Sequence, residues 1–122
     1  MNTTTPLGPA GEALAQKYLK EQGYAILATN WRAGKAEADI IAYREGLLVF
    51  VEVKTRTDTV FAQPEEAVNR TKQKAYIRLA NAYVLQHQRK EEVRFDIITV
   101  VINNDTNTEI KHIPNAFSAF EL

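Results

Sequence analysis

The 122-residue sequence has no cysteine. That excludes disulfides, thiolate zinc centres and cysteine nucleophiles, and it fits a reducing compartment. With only two histidines, His87 and His112, it also lacks the ligands for a multi-histidine metal site. There is no net charge, since 15 basic residues balance 15 acidic ones. No global positive field therefore announces a nucleic-acid binder, and any such role must rest on local clusters. Uninterrupted apolar runs are only a few residues long, so no membrane-spanning helix is expected. Met1 to Pro9 has no apolar centre and does not read as a signal peptide. Together these absences point to a cytoplasmic protein.

What is present suits one ordinary domain. Hydrophobic residues make up 45% and charged residues 25%, and a chain of this length buries roughly two-thirds of its unfolded surface. Residues 1–9 read as a flexible N-terminal arm and 10–122 as a single domain. From Gly11 to Gln22 the positions of Leu14, Ala15, Tyr18 and Leu19 predict a helix, closed by a left-handed Gly23. Tyr24 to Trp31 is a weakly patterned first strand. Glu37–Arg44 and Leu47–Lys54 are strand-like runs around a two-residue Glu45-Gly46 turn. Asp58 to Pro64 reads as a loop. A helical stretch follows to about His87, with Asn69 as an N-cap that divides it. Val93 to Ile102 reads as a buried strand, Asn103 to Asp105 as a turn, and Thr108 to Ile113 as a short edge strand. The expected order is helix, three strands, helix and one strand (αβββαβ), with the short edge strand as an optional addition. That is an α/β domain with a mixed sheet flanked by helices.

The turn fixes a register. If Glu45 and Gly46 form it, Arg44 pairs with Leu47, Tyr43 with Leu48 and Ile41 with Phe50. Asp39 then faces Glu52, and Glu37 faces Lys54. Alternation puts these on one face, apolar near the turn and charged at the open end. A slip of one residue would mix the two faces. Directly opposed residues have Cβ atoms about 5 Å apart, and like charges placed so repel, so the pair needs a reason. Asp39 and Glu52 could share a proton, flank a lysine or arginine, or bind a cation. Oxygen donors without histidine or cysteine suit a hard ion, Mg2+ or Mn2+. Lys54 lies roughly 6.6 Å beyond Glu52 on the same face, where it could hold a water or a phosphate. The plainer alternative is a charge network at the end of a sheet.

Two stretches carry a family resemblance: Gly34-Lys35-Ala36-Glu37-Ala38-Asp39-Ile40-Ile41, and Val49-Phe50-Val51-Glu52-Val53-Lys54-Thr55-Arg56. With Gly11-Glu12, Asn30-Trp31-Arg32, Lys72-Gln73 and Arg94-Phe95-Asp96-Ile97, they resemble the PD-(D/E)xK nuclease superfamily. More narrowly they resemble the bacterial YraN-like proteins, an endonuclease-like family similar to archaeal Holliday-junction resolvases. Where that family usually reads Gly-Glu-Ile-Asp, this chain has Ala36-Glu37-Ala38-Asp39. The resemblance implies a restriction-endonuclease-like fold. It also implies Asp39, Glu52 and the Val53 carbonyl as ligands of Mg2+ or Mn2+, Lys54 as the catalytic lysine, and Glu12 as a helix-borne acid of the site.

Other residues carry two readings each. Glu12 stands near its helix's positive end, where it also serves as a plain cap. Residues 67–90 contain Arg70, Lys72, Lys74, Arg78, Arg89 and Lys90 and no acid. Arg70, Lys74 and Arg78 fall on an outward arc, while Lys72 falls on the buried stripe in the helix's first turn. There it either reaches a phosphate or snorkels from the core. Arg32, Lys35, Arg56 and Gln73 join it as candidate nucleic-acid contacts. Trp31 is a stacking platform or core. Ile77 and Leu85 lie on the polar side of the helix and raise the alternative of a homodimer or another protein partner. His87 and His112 have no partner visible in sequence. The function expected is Mg/Mn-dependent endonuclease action on DNA, branched or structured DNA included and RNA not excluded. The alternative is a non-catalytic nucleic-acid-binding or assembly module.

Overall fold

The computed structural model describes residues 7–57, 68–103 and 107–118. The element order is α1 (Leu7–Glu21), β1 (Ala25–Ala33), β2 (Ala36–Arg44), β3 (Leu47–Arg56), α2 (Arg70–His87), β4 (Glu92–Asn103) and β5 (Asn107–Phe117). The order is thus αβββαββ. The short final edge strand expected from Thr108 to Ile113 is an eleven-residue strand paired along β4. Leu7 to Pro9, expected in the arm, already belong to α1. The expected loop at Asp58 to Pro64 and the turn residues Asn104 and Asp105 lie outside the described residues.

The five strands form one open sheet in sequence order, antiparallel except for the parallel pair β3–β4. Alternation along β3 sorts its side chains into two layers. Leu48 and Phe50 join Tyr76, Leu79, Ala80 and Tyr83 of α2; Val49, Val51 and Val53 join Ala15 and Leu19 of α1. The central strand is therefore apolar on both faces, as the Leu47–Val51 run requires. The hairpin turn has φ values of 51° at Glu45 and 83° at Gly46. Two successive positive φ values are what a tight right-twisted hairpin needs, and glycine supplies one of them without strain. Gly23, at φ 95°, closes α1 as expected. Among the described residues no helix is long and apolar enough to cross a membrane.

Gly11 sets how closely α1 lies on the sheet. A Cβ built there would stand 1.9 Å from Thr55 Oγ1 and 2.9 Å from Thr55 Cβ. Thr55 is β-branched and short, so it has little room to give way. Gly11→Ala is expected to cost about 1–3 kcal/mol through overpacking. Adding Thr55→Ala should recover part of that loss, as read by urea denaturation. An additive double variant would mean that the contact does not set the spacing.

Candidate functional site: a fork between two strands

The register inferred from the turn holds from Arg44–Leu47 to Ile40–Val51, where β2–β3 pairing ends. Beyond that point each strand follows its other neighbour. β2 stays on β1 through Trp31–Ala38, Arg32–Glu37 and Ala33–Ala36. β3 stays on β4 from Glu52–Ile97 to Arg56–Val101. The sheet thus splits into a fork one residue short of the expected Asp39–Glu52 pair. The expected Glu37–Lys54 pairing is likewise not part of the ladder.

The split has a local cause. Ile40 and Ala42 pack in the α1 layer, whereas Ala38 and Ile41 pack in the α2 layer. Strict alternation would put Ala38 with Ile40, so it breaks at Asp39. Across from this break, Asn30 has a left-handed φ of 49°, a conformation that asparagine tolerates better than most residues. The Asp39 side chain fills the fork: its Oδ2 accepts from the Val53 backbone N–H at 2.7 Å. A carboxylate thereby satisfies a donor that the ladder leaves behind.

Glu52 lies on the α2 side and is only 4% exposed. Asn69 caps α2 through its side-chain oxygen, which accepts from Lys72 N at 2.9 Å. The first two turns of the helix then aim Lys72 and Tyr76, four residues apart, at one carboxylate. Lys72 Nζ donates to Glu52 Oε2 at 2.5 Å, and Tyr76 O–H donates to Glu52 Oε1 at 2.7 Å. The Tyr76 hydroxyl also accepts from the Asp39 N–H at 3.4 Å, so one buried oxygen ties both acidic positions to α2. Lys35, Ala36, Glu37, Asp39, Glu52, Lys72, Ala75 and Tyr76 line a cavity of about 240 Å³ here.

Burial, and next the neighbouring Glu52 carboxylate, push the Asp39 carboxyl up to about 7. The Val53 N–H opposes this, Glu12 adds to it, and Lys72 reduces it. The two acids thus line one cavity and act on each other electrostatically, although they are not ladder partners. One of the three ways to relieve the repulsion is built in, since Glu52 flanks Lys72; the raised Asp39 carboxyl keeps its own proton to higher pH than an ordinary carboxylate.

The remaining candidates distribute unevenly. Glu12, on α1, accepts from Asn30 Nδ2 at 3.2 Å. Lys54 is half-buried on β3 and is not among the residues lining the cavity. Arg32 pairs with Glu37 at 3.5 Å, beside the acidic cluster. Arg56 is half-buried with its Nε shielded from solvent. Gln73 Nε2 donates to the Val68 carbonyl at 3.1 Å. Arg70, Lys74 and Arg78 are exposed. Trp31 packs edge-on to Tyr83, with ring centroids 5.1 Å apart, and Ile77 packs against the α2 layer. That leaves Leu85 as the strongly exposed apolar residue of α2.

A second polar centre, in the α1 layer, has no counterpart in the sequence reading. Asp96 is fully buried and accepts from Arg94 Nε and NH2 at 2.8 Å each, from Asn115 N at 2.9 Å, and from His112 Nε2 at 2.7 Å. The other His112 nitrogen lies 3.0 Å from the Tyr18 hydroxyl, and Arg94 also donates to Tyr24 at 2.7 Å. His112 is thus not without a partner. Burial pushes the Asp96 carboxyl up, but the hydrogen bonds from His112, Arg94 and Asn115 outweigh it and hold the group low. Asp96 sits where β4–β5 pairing is irregular, between Phe95–Phe117 and Ile97–Ile113. Three β5 residues there oppose one β4 residue, and the carboxylate takes up one displaced donor, the Asn115 N–H.

The profile of the family described as Uncharacterised protein family UPF0102 matches residues 11–100. The chain belongs to the UPF0102 family. Relatives bearing that family name are similar over nearly their whole length. One from Bacteroides thetaiotaomicron is 54% identical over 111 residues, covering 91% of each chain. One from Bacteroides fragilis is 48% identical over the same share. One from Caldanaerobacter subterraneus is 41% identical over 114 residues, 91% of this chain and 93% of its own. The UPF0102 match spans the fork, both of its acids and the first two turns of α2, and it includes Asp96.

Proposed function

We propose that this UPF0102 chain is an endonuclease-like phosphodiesterase of the PD-(D/E)xK type, dependent on Mg2+ or Mn2+ and acting on DNA, branched or structured DNA included. The observation that carries the reading is the fork, where two crowded acids line one cavity together with Lys35 and Lys72. Among the described residues no group of three histidine, cysteine or acidic side chains is assembled to hold a metal. The donor set that the resemblance implies is two carboxylates with the Val53 carbonyl, all hard oxygens that suit Mg2+ or Mn2+. The Asp39–Glu52 repulsion is what a cation there would remove.

When bound, such an ion would lower the pKa of a water and offset charge on the phosphate. The protein's own residues do the rest. Asp39 and Glu52 hold the ion, and the Val53 N–H and Tyr76 hydroxyl fix their orientation. Lys54 neutralises charge developing on the phosphate, and Glu12 adds negative potential from α1. Lys35, Arg32, Arg56, Arg70, Lys72 and Gln73 supply backbone contacts to nucleic acid. A reducing cytoplasm suits a chain without cysteine. The second reading, a binding or assembly module that does not cut, is favoured by one observation: both Glu52 oxygens are already engaged by Lys72 and Tyr76.

Cleavage assays decide between the two. Wild type should cut branched or single-stranded DNA only when Mn2+ or Mg2+ is added. Lys54→Met should slow cleavage about a hundredfold while leaving affinity in filter binding nearly intact. No cleavage of any substrate, with binding unchanged in the variant, would select the non-catalytic module.

A further inference from the structure

The contact that balances Glu52 also stands where a metal ion would go. One Glu52 oxygen is held by the Tyr76 hydroxyl and the other by the Lys72 ammonium. The two partners differ in freedom. Tyr76 is 2% exposed and packs edge-on against Phe117, with ring centroids 6.2 Å apart. It cannot leave without opening the core. Lys72 has only its backbone fixed, by the Asn69 cap, and its side chain is 44% exposed at the cavity rim. Its flexible four-carbon stem can carry the ammonium outward.

Charge counting gives the exchange a direction. A single ammonium neutralises one carboxylate, and Lys72 Nζ is bonded to Glu52. Asp39, in the same cavity, is left with the backbone N–H of Val53. A divalent cation between the two acids offsets both charges. An ammonium and such an ion cannot share the site, because like charges a few ångströms apart in a partly buried setting repel strongly. Without either cation, a nearly buried Glu52 would be left uncompensated, which is costly.

We infer that Lys72 is a displaceable resident cation: it occupies the metal position on Glu52 in the ion-free protein and is exchanged for the divalent ion. The released ammonium then lies at the cavity rim beside Lys35, where an incoming phosphate meets it. The exchange rests on the metal-site reading above and adds to it a device that keeps the empty fork intact and withholds a phosphate contact until metal arrives.

The test is Mn2+ binding to the full chain, followed by calorimetry, for wild type, Lys72→Met, Lys72→Arg and Glu52→Gln. Lys72→Met should bind Mn2+ roughly two- to fivefold tighter than wild type, the scale of an ion pair that no longer has to be broken. Its ion-free melting temperature should be lower, and its rise on adding Mn2+ larger. Lys72→Arg should bind no tighter than wild type, and Glu52→Gln should lose binding. Should Lys72→Met fail to fold, Mg2+ titration of wild type followed by NMR of the lysine side-chain amines gives the same answer. The Lys72 amine protons should lose their protection from solvent exchange as the ion binds. Wild-type binding with equal or weaker affinity in Lys72→Met, or an unmoved Lys72 signal at saturating Mg2+, overturns the exchange and leaves the metal site standing. No binding by either wild type or Lys72→Met overturns the metal site and the exchange together.

Discussion

Asp96→Ala should be severely destabilising, costing about 3–5 kcal/mol. The carboxylate is wholly buried and takes four hydrogen bonds: two from Arg94, one from His112 and one from the Asn115 backbone. Removing it leaves the Arg94 charge half-buried with Tyr24 as its remaining partner, and leaves Asn115 N without an acceptor at an irregular point of the ladder. A domain of this size is stable by only about 5–15 kcal/mol, so a fall in Tm of more than about 10 °C is expected. The effect has a pH signature. The folded-state carboxyl is held below its ordinary value of 3.8. Its contribution is therefore fully present above pH 4 and is lost as pH falls through the lowered folded-state value. Above pH 4 the gap between wild type and Asp96→Ala should be constant; in more acid solution it should close. A loss below 1 kcal/mol in urea melts at pH 7 would show that the network is ornamental to stability.

Asp39→Asn should do the reverse in ion-free buffer and raise stability. Here the folded-state carboxyl is pushed up, from 3.8 to about 7, by burial and by Glu52. Below pH 4 the group is protonated in both states, and wild type should match the variant. Between pH 4 and 7 the unfolded chain releases its proton while the folded chain keeps it, so the wild type loses stability progressively. Above pH 7 the penalty is complete, on the order of a few kcal/mol. Asparagine keeps an oxygen to accept from Val53 N, so the fork retains its geometry. Added Mn2+ should invert the ranking, because wild type gains a ligand that the variant has lost. Melting curves across pH 4–8, with and without Mn2+, check both halves. A variant less stable than wild type at pH 8 in chelator would mean that Asp39 acts as a structural anion.

The hairpin register was legible because its causes are local: a glycine at the turn, alternation on either side, and charge gathered at one end. The fork was not, because it depends on which neighbour each strand keeps, β1 for β2 and β4 for β3. Neither preference shows within the hairpin itself. Lys72 could be placed on the inward stripe of its helix, but the acid it meets is 20 residues away. Tyr76 was missed, although a signal existed. A tyrosine on a buried stripe needs a partner for its hydroxyl, and a glutamate in an apolar strand needs a donor; pairing those two needs finds the contact. Asp96 and His112 are joined only through an irregular stretch of the ladder, where alternation and register arithmetic fail.

The parallel pairing of β3 with β4 bears on the order in which the molecule assembles. The β1–β2–β3 meander closes through short turns, whereas β3 and β4 join residues about 45 positions apart, as in Leu47–Glu92. Such closure is slow, because chain entropy is lost before the contacts form. Helix α2 lies inside that long crossover, so Lys72 and Tyr76 reach Glu52 only when the crossover docks. The meander already holds Asp39, its Val53 N–H partner and Glu52, but not the Lys72 and Tyr76 groups that engage Glu52. The fork is then completed on folding only after the sheet residues that flank it are in place. In native-state hydrogen exchange, undocking of α2 should dismantle it first while Phe50 and Val51 at the centre of the sheet stay protected.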